Sequence, residues 1–102
     1  MDIQLFQTFL MVAKLGNMTQ AAEQLNFTQP TVTGQIRALE QDFGVMLFDR
    51  VGKKLFITDA GRELIDYAEK LLTTYDEAQK ALSAHPGNIK IGISTTDRKS
   101  VV

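Results

Sequence analysis

Residues 28–33, with the sequence TQPTVT, constrain the fold of this chain more than any other segment. Thr28 supplies a hydroxyl of the kind that caps helix N-termini, and Pro30 is favoured in a first turn, where its missing N–H is not needed. Hydroxyl and amide side chains continue through that turn, which is an unusual start for a helix. The segment therefore predicts a helix whose N-terminal end contacts another molecule.

A shorter helix is predicted just before it. Thr19 is its expected N-cap, and Ala21 and Ala22 are small enough to let two helices approach closely. Asn26 and Phe27 form a short break between the two helices. The pair is typical of a helix-turn-helix.

Apolar residues in both helices recur at helical spacing and predict an inward face. They are Ala21, Ala22 and Leu25 on the first helix and Val32, Ile36, Leu39 and Phe43 on the second. The solvent face of the second helix then carries Gln29, Pro30, Thr33, Gly34 and Arg37. In a recognition helix, Gln can pair with adenine, Thr can contact thymine, and Arg can hold a phosphate.

Each of these features also has an ordinary structural explanation. Thr19 and Thr28 are common N-caps, Pro30 is common in a first turn, and helix-turn-helix spacing arises by chance in helical bundles. These residues alone leave DNA binding and a purely structural role both open.

Further residues at recognisable spacings extend from Phe9 to Gly61. They read Phe9-x-x-Val12-Ala13, Gly16-Asn17-Met18-Thr19-x-Ala21-Ala22-x-x-Leu25, Thr28-Gln29-Pro30-x-Val32-Thr33-x-Gln35-Ile36-x-x-Leu39-Glu40, Phe43-Gly44-x-x-Leu47-Phe48-x-Arg50 and Leu55-x-Ile57-Thr58-x-Ala60-Gly61. With this pattern the chain resembles the N-terminal end of a LysR-type transcriptional regulator. That family is bacterial, binds DNA through a winged helix-turn-helix, and normally carries a C-terminal effector domain.

The resemblance implies a mainly α fold: a winged helix-turn-helix with a three-helix core and a two-stranded wing, followed by a long C-terminal dimerisation helix. It implies a sequence-specific domain that binds an interrupted inverted repeat in double-stranded DNA as a homodimer. For the full-length protein it leaves a tetramer as an alternative. A small-molecule coinducer would act only through the effector domain. The candidate DNA-binding residues are Thr28, Gln29, Pro30, Thr31, Thr33, Gln35, Arg37, Arg50, Lys53 and Lys54.

Three residues depart from the usual family pattern. Gly34 stands where many members carry a basic residue, so we expect a phosphate contact to be missing there. Glycine also weakens a helix interior by about 1 kcal/mol relative to alanine. Thr28 and Thr33 replace the more usual serines, which keeps the hydroxyls but adds methyl groups that can alter which base is tolerated.

Residues 1–58 form the predicted DNA-binding domain. Its first helix should start after the cap Asp2 and stop at Gly16. The core face of that helix is predicted to be Phe6, Phe9, Val12 and Ala13. Gly44 should end the recognition helix.

Residues 47–58 predict a hairpin, the wing, with Leu55 and Ile57 pointing inward and residues 51–54 at its tip. The basic side chains Arg50, Lys53 and Lys54 could reach the minor groove or phosphates. A Gly-Lys-Lys sequence is also common in solvent-exposed turns that bind nothing.

Residues 59–84 form the predicted dimerisation helix. An apolar seam at alternating three- and four-residue spacing favours a coiled-coil contact with a second copy. It comprises Gly61, Leu64, Ala68, Leu71, Tyr75, Ala78 and Leu82, widened by Ile65 and Leu72. Asp66 with Lys70 and Asp76 with Lys80 are predicted ion pairs on the outer face. The alternative is a helix that packs wholly on its own domain.

Residues 85–102 are predicted to be a hinge and a truncated start of the effector domain. Residues 88–94 alternate apolar and polar like a strand and resemble the first strand of that domain. We expect such a strand to lack the rest of its sheet in this chain.

The charge balance argues for caution about DNA. The net charge is −1, and residues 1–58 carry five basic and five acidic side chains, which sum to zero. A simple nucleic-acid binder is usually basic. A winged-helix module that binds protein is therefore kept as the alternative function.

Other functions lack the residues they would need. The chain has no cysteine and one histidine, His85, so we expect no metal site and no cofactor. No nucleophile lies near a plausible base in the sequence, so we do not expect an enzyme. The absence of a signal peptide or a long apolar run predicts a cytoplasmic protein without membrane contact.

Overall fold

The computed structural model of the protein describes residues 2–86. The elements in this region are α1 (Ile3–Leu15), α2 (Met18–Leu25), α3 (Gln29–Phe43), β1 (Phe48–Val51), β2 (Lys54–Ile57) and α4 (Asp59–Ser83). This order confirms the predicted fold class, a three-helix core with a two-stranded wing and a long final helix. The strand expected in residues 88–94 lies outside the described residues.

Helix α1 begins and ends where the sequence predicts. The Asp2 carboxylate accepts a hydrogen bond from the backbone N–H of Gln4 at 3.1 Å. Gly16 adopts a left-handed conformation (φ 65°), and its N–H donates to the carbonyl of Val12 at 2.7 Å. Glycine suits this position because it has no Cβ to strain there.

The predicted cap of α2 is wrong. Asn17, not Thr19, is the N-cap, and its side-chain oxygen accepts from the backbone N–H of Gln20 at 2.8 Å. Because α1 ends at Gly16, one residue is enough to turn the chain into α2, and the helix starts before Thr19. At the other end, Asn26 ends α2 in a left-handed conformation (φ 59°), as expected for the break.

The core lies where α1, α2 and α3 meet. Its largest fully buried side chains include Phe9, Val12, Ile36 and Leu39, and the Phe9 ring lies 5.6 Å from that of Phe48 at the base of the wing. Phe43 departs from its predicted inward face, because its side chain is 47% exposed. It lies at the last turn of α3, where it contacts Phe6 edge-on at 6.4 Å but nothing covers its outer side within the described residues.

The wing is an antiparallel pair in which Phe48 lies opposite Ile57 and Val51 opposite Lys54. Gly52, with φ 62°, makes the tight turn between the strands. Leu55 and Ile57 are half-buried and pack against the core, which confirms their predicted orientation.

Helix α4 starts at the cap Thr58, whose hydroxyl accepts from the backbone N–H of Gly61 at 3.0 Å. A Cβ at Gly61 would collide with the Leu47 carbonyl and the Ile57 side chain, so glycine permits this close approach of α4 to the wing. Leu64 and Ala68 are also buried against the domain. None of the helices within residues 2–86 is long and apolar enough to cross a membrane.

Candidate nucleic-acid interface

The N-terminal turn of α3 is held by its own hydroxyl groups. The Thr28 hydroxyl accepts from the backbone N–H of Thr31 at 3.3 Å and lies 2.9 Å from the Thr31 hydroxyl. Thr28 is therefore the cap that the sequence predicts. Thr28, Thr31 and Pro30 are all exposed.

Gln29 and Thr33 form a chain of contacts on the exposed side of α3. The Gln29 amide donates to the Thr33 hydroxyl at 3.5 Å, and that hydroxyl donates to the Met18 sulfur at 3.4 Å. Gln29 is exposed, whereas Thr33 is half-buried. Met18 at the start of α2 thus orients a candidate base-contacting side chain.

Met18 also contacts the wing. An Nη2 of Arg50 lies 3.9 Å from the Met18 sulfur. The thioether therefore lies between the recognition helix and the wing, and it accepts weak hydrogen bonds from both. The sequence shows nothing of this role, because Met18 is separated from Thr33 by 15 positions and from Arg50 by 32.

Gln35 differs from the other candidate residues. It is half-buried, and its side-chain oxygen accepts a hydrogen bond from the hydroxyl of Thr8 on α1. Thr8 is fully buried and also accepts from the Gln4 amide at 3.3 Å. Part of the hydrogen-bonding capacity of Gln35 is thus used to join α1 to α3.

The basic candidate residues are exposed on both parts of the candidate interface, the recognition helix α3 and the wing. Arg37 lies on α3, Arg50 on β1, Lys53 at the wing tip and Lys54 at the start of β2. A cleft of about 110 Å³ between α2 and the wing is lined by Gln29, Arg50 and Lys53, together with Asn17 and Thr19.

A second cleft of about 190 Å³ joins the middle of α3 to the wing. Thr33, Arg37 and Arg50 line it, and so does the acidic Asp49. The two clefts share Arg50 and bring five of the ten candidate residues onto one continuous surface: Gln29, Thr33, Arg37, Arg50 and Lys53. Lys54 is exposed but lines neither cleft.

Gly34 lies exposed in the centre of α3, and outside the adjoining backbone of that helix no atom lies within 4 Å of the place where a Cβ would be. The domain therefore leaves space at the position where a basic residue is expected from the resemblance.

Across residues 2–86, no group of three potential ligands could hold a metal ion.

An exposed, polar helix start beside a basic wing defines a DNA-binding domain of the winged helix-turn-helix class. Residues 3–62 match the family model described as "Bacterial regulatory helix-turn-helix protein, lysR family". The chain belongs to the LysR family of bacterial regulatory helix-turn-helix proteins.

Curated relatives carry the same kind of name. An uncharacterized HTH-type transcriptional regulator of Azotobacter vinelandii is 38% identical over 89 residues, covering 87% of this chain and 62% of that protein. The HTH-type transcriptional regulator GltR of Bacillus subtilis is 40% identical over 99 residues, covering 94% of this chain and 33% of GltR. The chain thus spans between about a third and three fifths of the length of these relatives. They are named as regulators and not as enzymes.

Solved structures agree with this assignment. A "CbnR_DBD-DNA complex" matches with a TM-score of 0.79 at 33% identity, covering 82% of this chain and 97% of that chain. A "BenM_DBD/benA site 1 DNA Complex" matches with a TM-score of 0.76 at 29% identity, covering 81% of this chain and 96% of that chain. The protein is a LysR-type helix-turn-helix domain of the kind found in transcriptional regulators.

Proposed function

We propose that this chain binds a specific double-stranded DNA sequence as a homodimer and thereby regulates transcription in the bacterial cytoplasm. The observation that carries the proposal is one surface that joins the start of α3 to the wing. It places Gln29 and Thr33 beside Arg50 and Lys53. The related domains solved with DNA support the same partner.

The residue types suggest a division of roles. Gln29 and Thr33 would contact base edges, because amide and hydroxyl groups can read them in the major groove. Arg37 would hold a phosphate, and the wing cations Arg50, Lys53 and Lys54 would hold phosphates or enter the minor groove. Thr28, Pro30 and Thr31 would shape the helix start. Gln35 would have less hydrogen-bonding capacity left for DNA, because its side-chain oxygen already accepts from Thr8.

Helix α4 would provide the dimer contact. Residues 1–58 then act as the DNA-binding domain, residues 59–84 as the linker and dimerisation helix, and residues 85–102 as the hinge and the start of an effector domain. A two-fold dimer presents two equivalent recognition helices, which suits an interrupted inverted repeat. In a longer protein, a coinducer would bind the effector domain, and tetramers could assemble.

The neutral charge of residues 1–58 limits how strongly the domain can bind DNA of any sequence. Affinity from phosphate contacts should be modest and should fall with salt, because each contact releases counterions. Specificity should therefore depend on the base contacts of α3.

The test is selection of a duplex from a random-sequence pool, followed by binding measurements on the selected duplex and on a shuffled version. At the same salt we expect the selected duplex to bind at least about a thousandfold more tightly. Equal affinity for the two duplexes would overturn specific DNA binding and favour the protein-interaction alternative.

A further inference from the structure

Gln29, Thr33 and Met18 form a series of hydrogen bonds at the start of α3. The Gln29 amide nitrogen donates to the Thr33 hydroxyl at 3.5 Å, and that hydroxyl donates to the Met18 sulfur at 3.4 Å. Gln29 and Thr33 are candidates for base contact, whereas Met18 belongs to α2. The series therefore joins the base-contacting side chains of α3 to a residue outside the recognition helix.

The sulfur at the end of the series decides the direction of both hydrogen bonds. A thioether has no proton and can only accept, whereas a threonine hydroxyl has one proton and two lone pairs. Because the Thr33 proton goes to Met18, the Thr33 oxygen can only accept from Gln29. The part of the Gln29 amide that faces Thr33 must then be its nitrogen, and its carbonyl oxygen is left for another partner.

The position of the sulfur is fixed by its surroundings. Met18 is half-buried, packs against the hydrophobic core and lines both clefts of the candidate interface. Nη2 of Arg50 lies 3.9 Å from the same sulfur, and a guanidinium can only donate. Both contacts of the sulfur therefore suit an acceptor held at the junction of α2, α3 and the wing.

An amide held in this direction matches adenine. In the major groove, adenine presents the N6 amino group as a donor beside the acceptor N7. The carbonyl oxygen of Gln29 can accept from N6, and the second N–H of its amide can donate to N7. Guanine presents two acceptors, O6 and N7, so the same carbonyl oxygen would face an acceptor.

We propose that Met18 is a positioning residue for base recognition. As a proton acceptor it directs the Thr33 hydroxyl, which in turn directs the Gln29 amide, and the base that Gln29 contacts is thereby adenine rather than guanine. Without the sulfur, the Thr33 proton can turn to the Gln29 carbonyl oxygen, and the amide then presents the N–H groups that suit guanine. The proposal rests on the proposed function and names the residue that sets the preference of one of its base contacts.

The test first finds the base pair that Gln29 contacts. Each base pair of the selected duplex is replaced in turn, and this pair is the one whose replacement no longer matters in the Gln29→Ala chain. Affinities are then measured on two duplexes that carry adenine or guanine at that position.

Met18→Leu is the variant that removes the acceptor. Leucine replaces methionine with little change in volume, and such exchanges are well tolerated in cores. Met11→Leu is the matched control, because Met11 is also half-buried against the core but lies on α1, outside both clefts.

We expect Met18→Leu to lower the ratio of adenine affinity to guanine affinity by about three- to tenfold, the effect of about one hydrogen bond. Met11→Leu should leave the ratio unchanged. For both variants, the urea midpoint of unfolding and the slope of log affinity against log salt should stay as in the unmodified chain, because no charge is lost. A purely structural role of Met18 would move the urea midpoint and leave the ratio alone.

Thr33→Val tests the route from Met18 to Gln29. Valine is close to threonine in shape but has no hydroxyl, so it interrupts the series of hydrogen bonds. In the Thr33→Val chain, Met18→Leu should have little further effect on the ratio, because the two residues act through one contact. The same factor in both backgrounds would show that Met18 acts independently of Thr33 and would overturn the proposal.

The remaining outcomes separate this proposal from the proposed function. An unchanged ratio in Met18→Leu, or a preferred base other than adenine in the unmodified chain, would overturn the role of Met18 and leave specific DNA binding intact. If Gln29→Ala removes the preference at no base pair, the base contact of Gln29 and the role of Met18 both fail. Selection of a duplex by the unmodified chain tests specific binding separately.

Discussion

The carboxylate of Glu40 accepts a 2.8 Å hydrogen bond from the backbone N–H of Leu47. The same oxygen lies 3.4 Å from the backbone nitrogen of Phe48, the first residue of the wing. Glu40 is on the recognition helix α3, so one side chain joins that helix to the segment that begins the wing. The position of Arg50 relative to α3 depends partly on this contact.

Glu40→Ala should lower the free energy of unfolding by about 2 kcal/mol, because it leaves the N–H of buried Leu47 without its partner. Glu40→Gln keeps an acceptor oxygen and should lose less. Urea unfolding of both variants gives the comparison, with Gln41→Ala as a control at the exposed neighbouring position. Equal stability of Glu40→Ala and Gln41→Ala would show that the contact contributes nothing.

Gln29→Ala should weaken binding to the selected duplex by about 1–3 kcal/mol and binding to the shuffled duplex very little, because a base contact is lost and no charge changes. Anisotropy titrations at one salt concentration measure both. Gln41→Ala is again the matched control, since it removes a glutamine from the other end of the same helix. Equal losses on the two duplexes would exclude a base-reading role for Gln29.

Lys53→Ala should weaken binding to all duplexes by a similar factor. Its position at the wing tip suits a phosphate, and losing one phosphate contact should reduce the slope of log affinity against log salt by about one unit. Titrations at several salt concentrations give that slope. Lys80→Ala, far along α4, should leave it unchanged, and an unchanged slope for Lys53→Ala would make Lys53 a solvated turn residue.

Gly34→Lys should increase affinity for both duplexes and steepen the salt slope by about one unit, because it restores a cation on the exposed face of α3. The space around Gly34 is open, so the side chain should fit without strain. Gly34→Ala separates the two effects: it should stabilise the fold by about 0.5–1 kcal/mol and leave the salt slope unchanged. If Gly34→Lys binds DNA no better than Gly34→Ala, position 34 does not approach the phosphates.

Local signals in the sequence predicted most of the fold. Asp2, Gly16 and Thr28 act at the helix ends through contacts within a few residues, so their roles follow from short-range chemistry. Thr19 is not the cap because Asn17, two residues earlier, is of a residue type that caps helices better than threonine. The choice between them depends on where the preceding helix stops.

Contacts between distant parts of the chain could not be predicted. The bond between Thr8 and Gln35 and the two contacts of Met18 depend on how the helices and the wing pack. The bond between Glu40 and Leu47 spans only seven residues but depends on how the chain turns after α3. No periodic pattern predicts these contacts. Each of them includes a polar or sulfur-containing side chain that would fit an exposed helix position equally well.

The apolar repeat predicted for α4 is present, but the sequence did not show which of its residues pack on the domain and which stay exposed. The apolar spacing runs without interruption to Leu82, yet Leu64 and Ala68 are buried in the domain while Leu71 is 44% exposed. The outer pairs also differ: Lys80 bonds Asp76 at 3.0 Å as predicted, whereas Lys70 lies over the Tyr67 ring at 5.5 Å and makes no ion pair with Asp66 within residues 2–86.

This division of α4 sharpens a test of the dimer. Leu71→Asp would place a charge in the proposed interface, where burial without a partner costs several kcal/mol. Leu71 is 44% exposed in the single chain and lies outside the buried core, so the substitution should cost less in folding than in association. Thr73→Asp adds the same charge on the opposite, charged side of α4 and is the matched control.

Sedimentation at tens of micromolar should show a dimer for the unmodified chain and for Thr73→Asp, and a folded monomer for Leu71→Asp. Circular dichroism and urea unfolding check that the Leu71→Asp chain keeps its helices. On DNA, the monomer should bind a single half-site with nearly unchanged affinity, because α3 and the wing are intact. It should lose the preference for paired half-sites, since that preference requires two linked recognition helices. A Leu71→Asp chain that stays dimeric, or that still prefers paired half-sites, would show that the exposed apolar side of α4 is not the dimer contact.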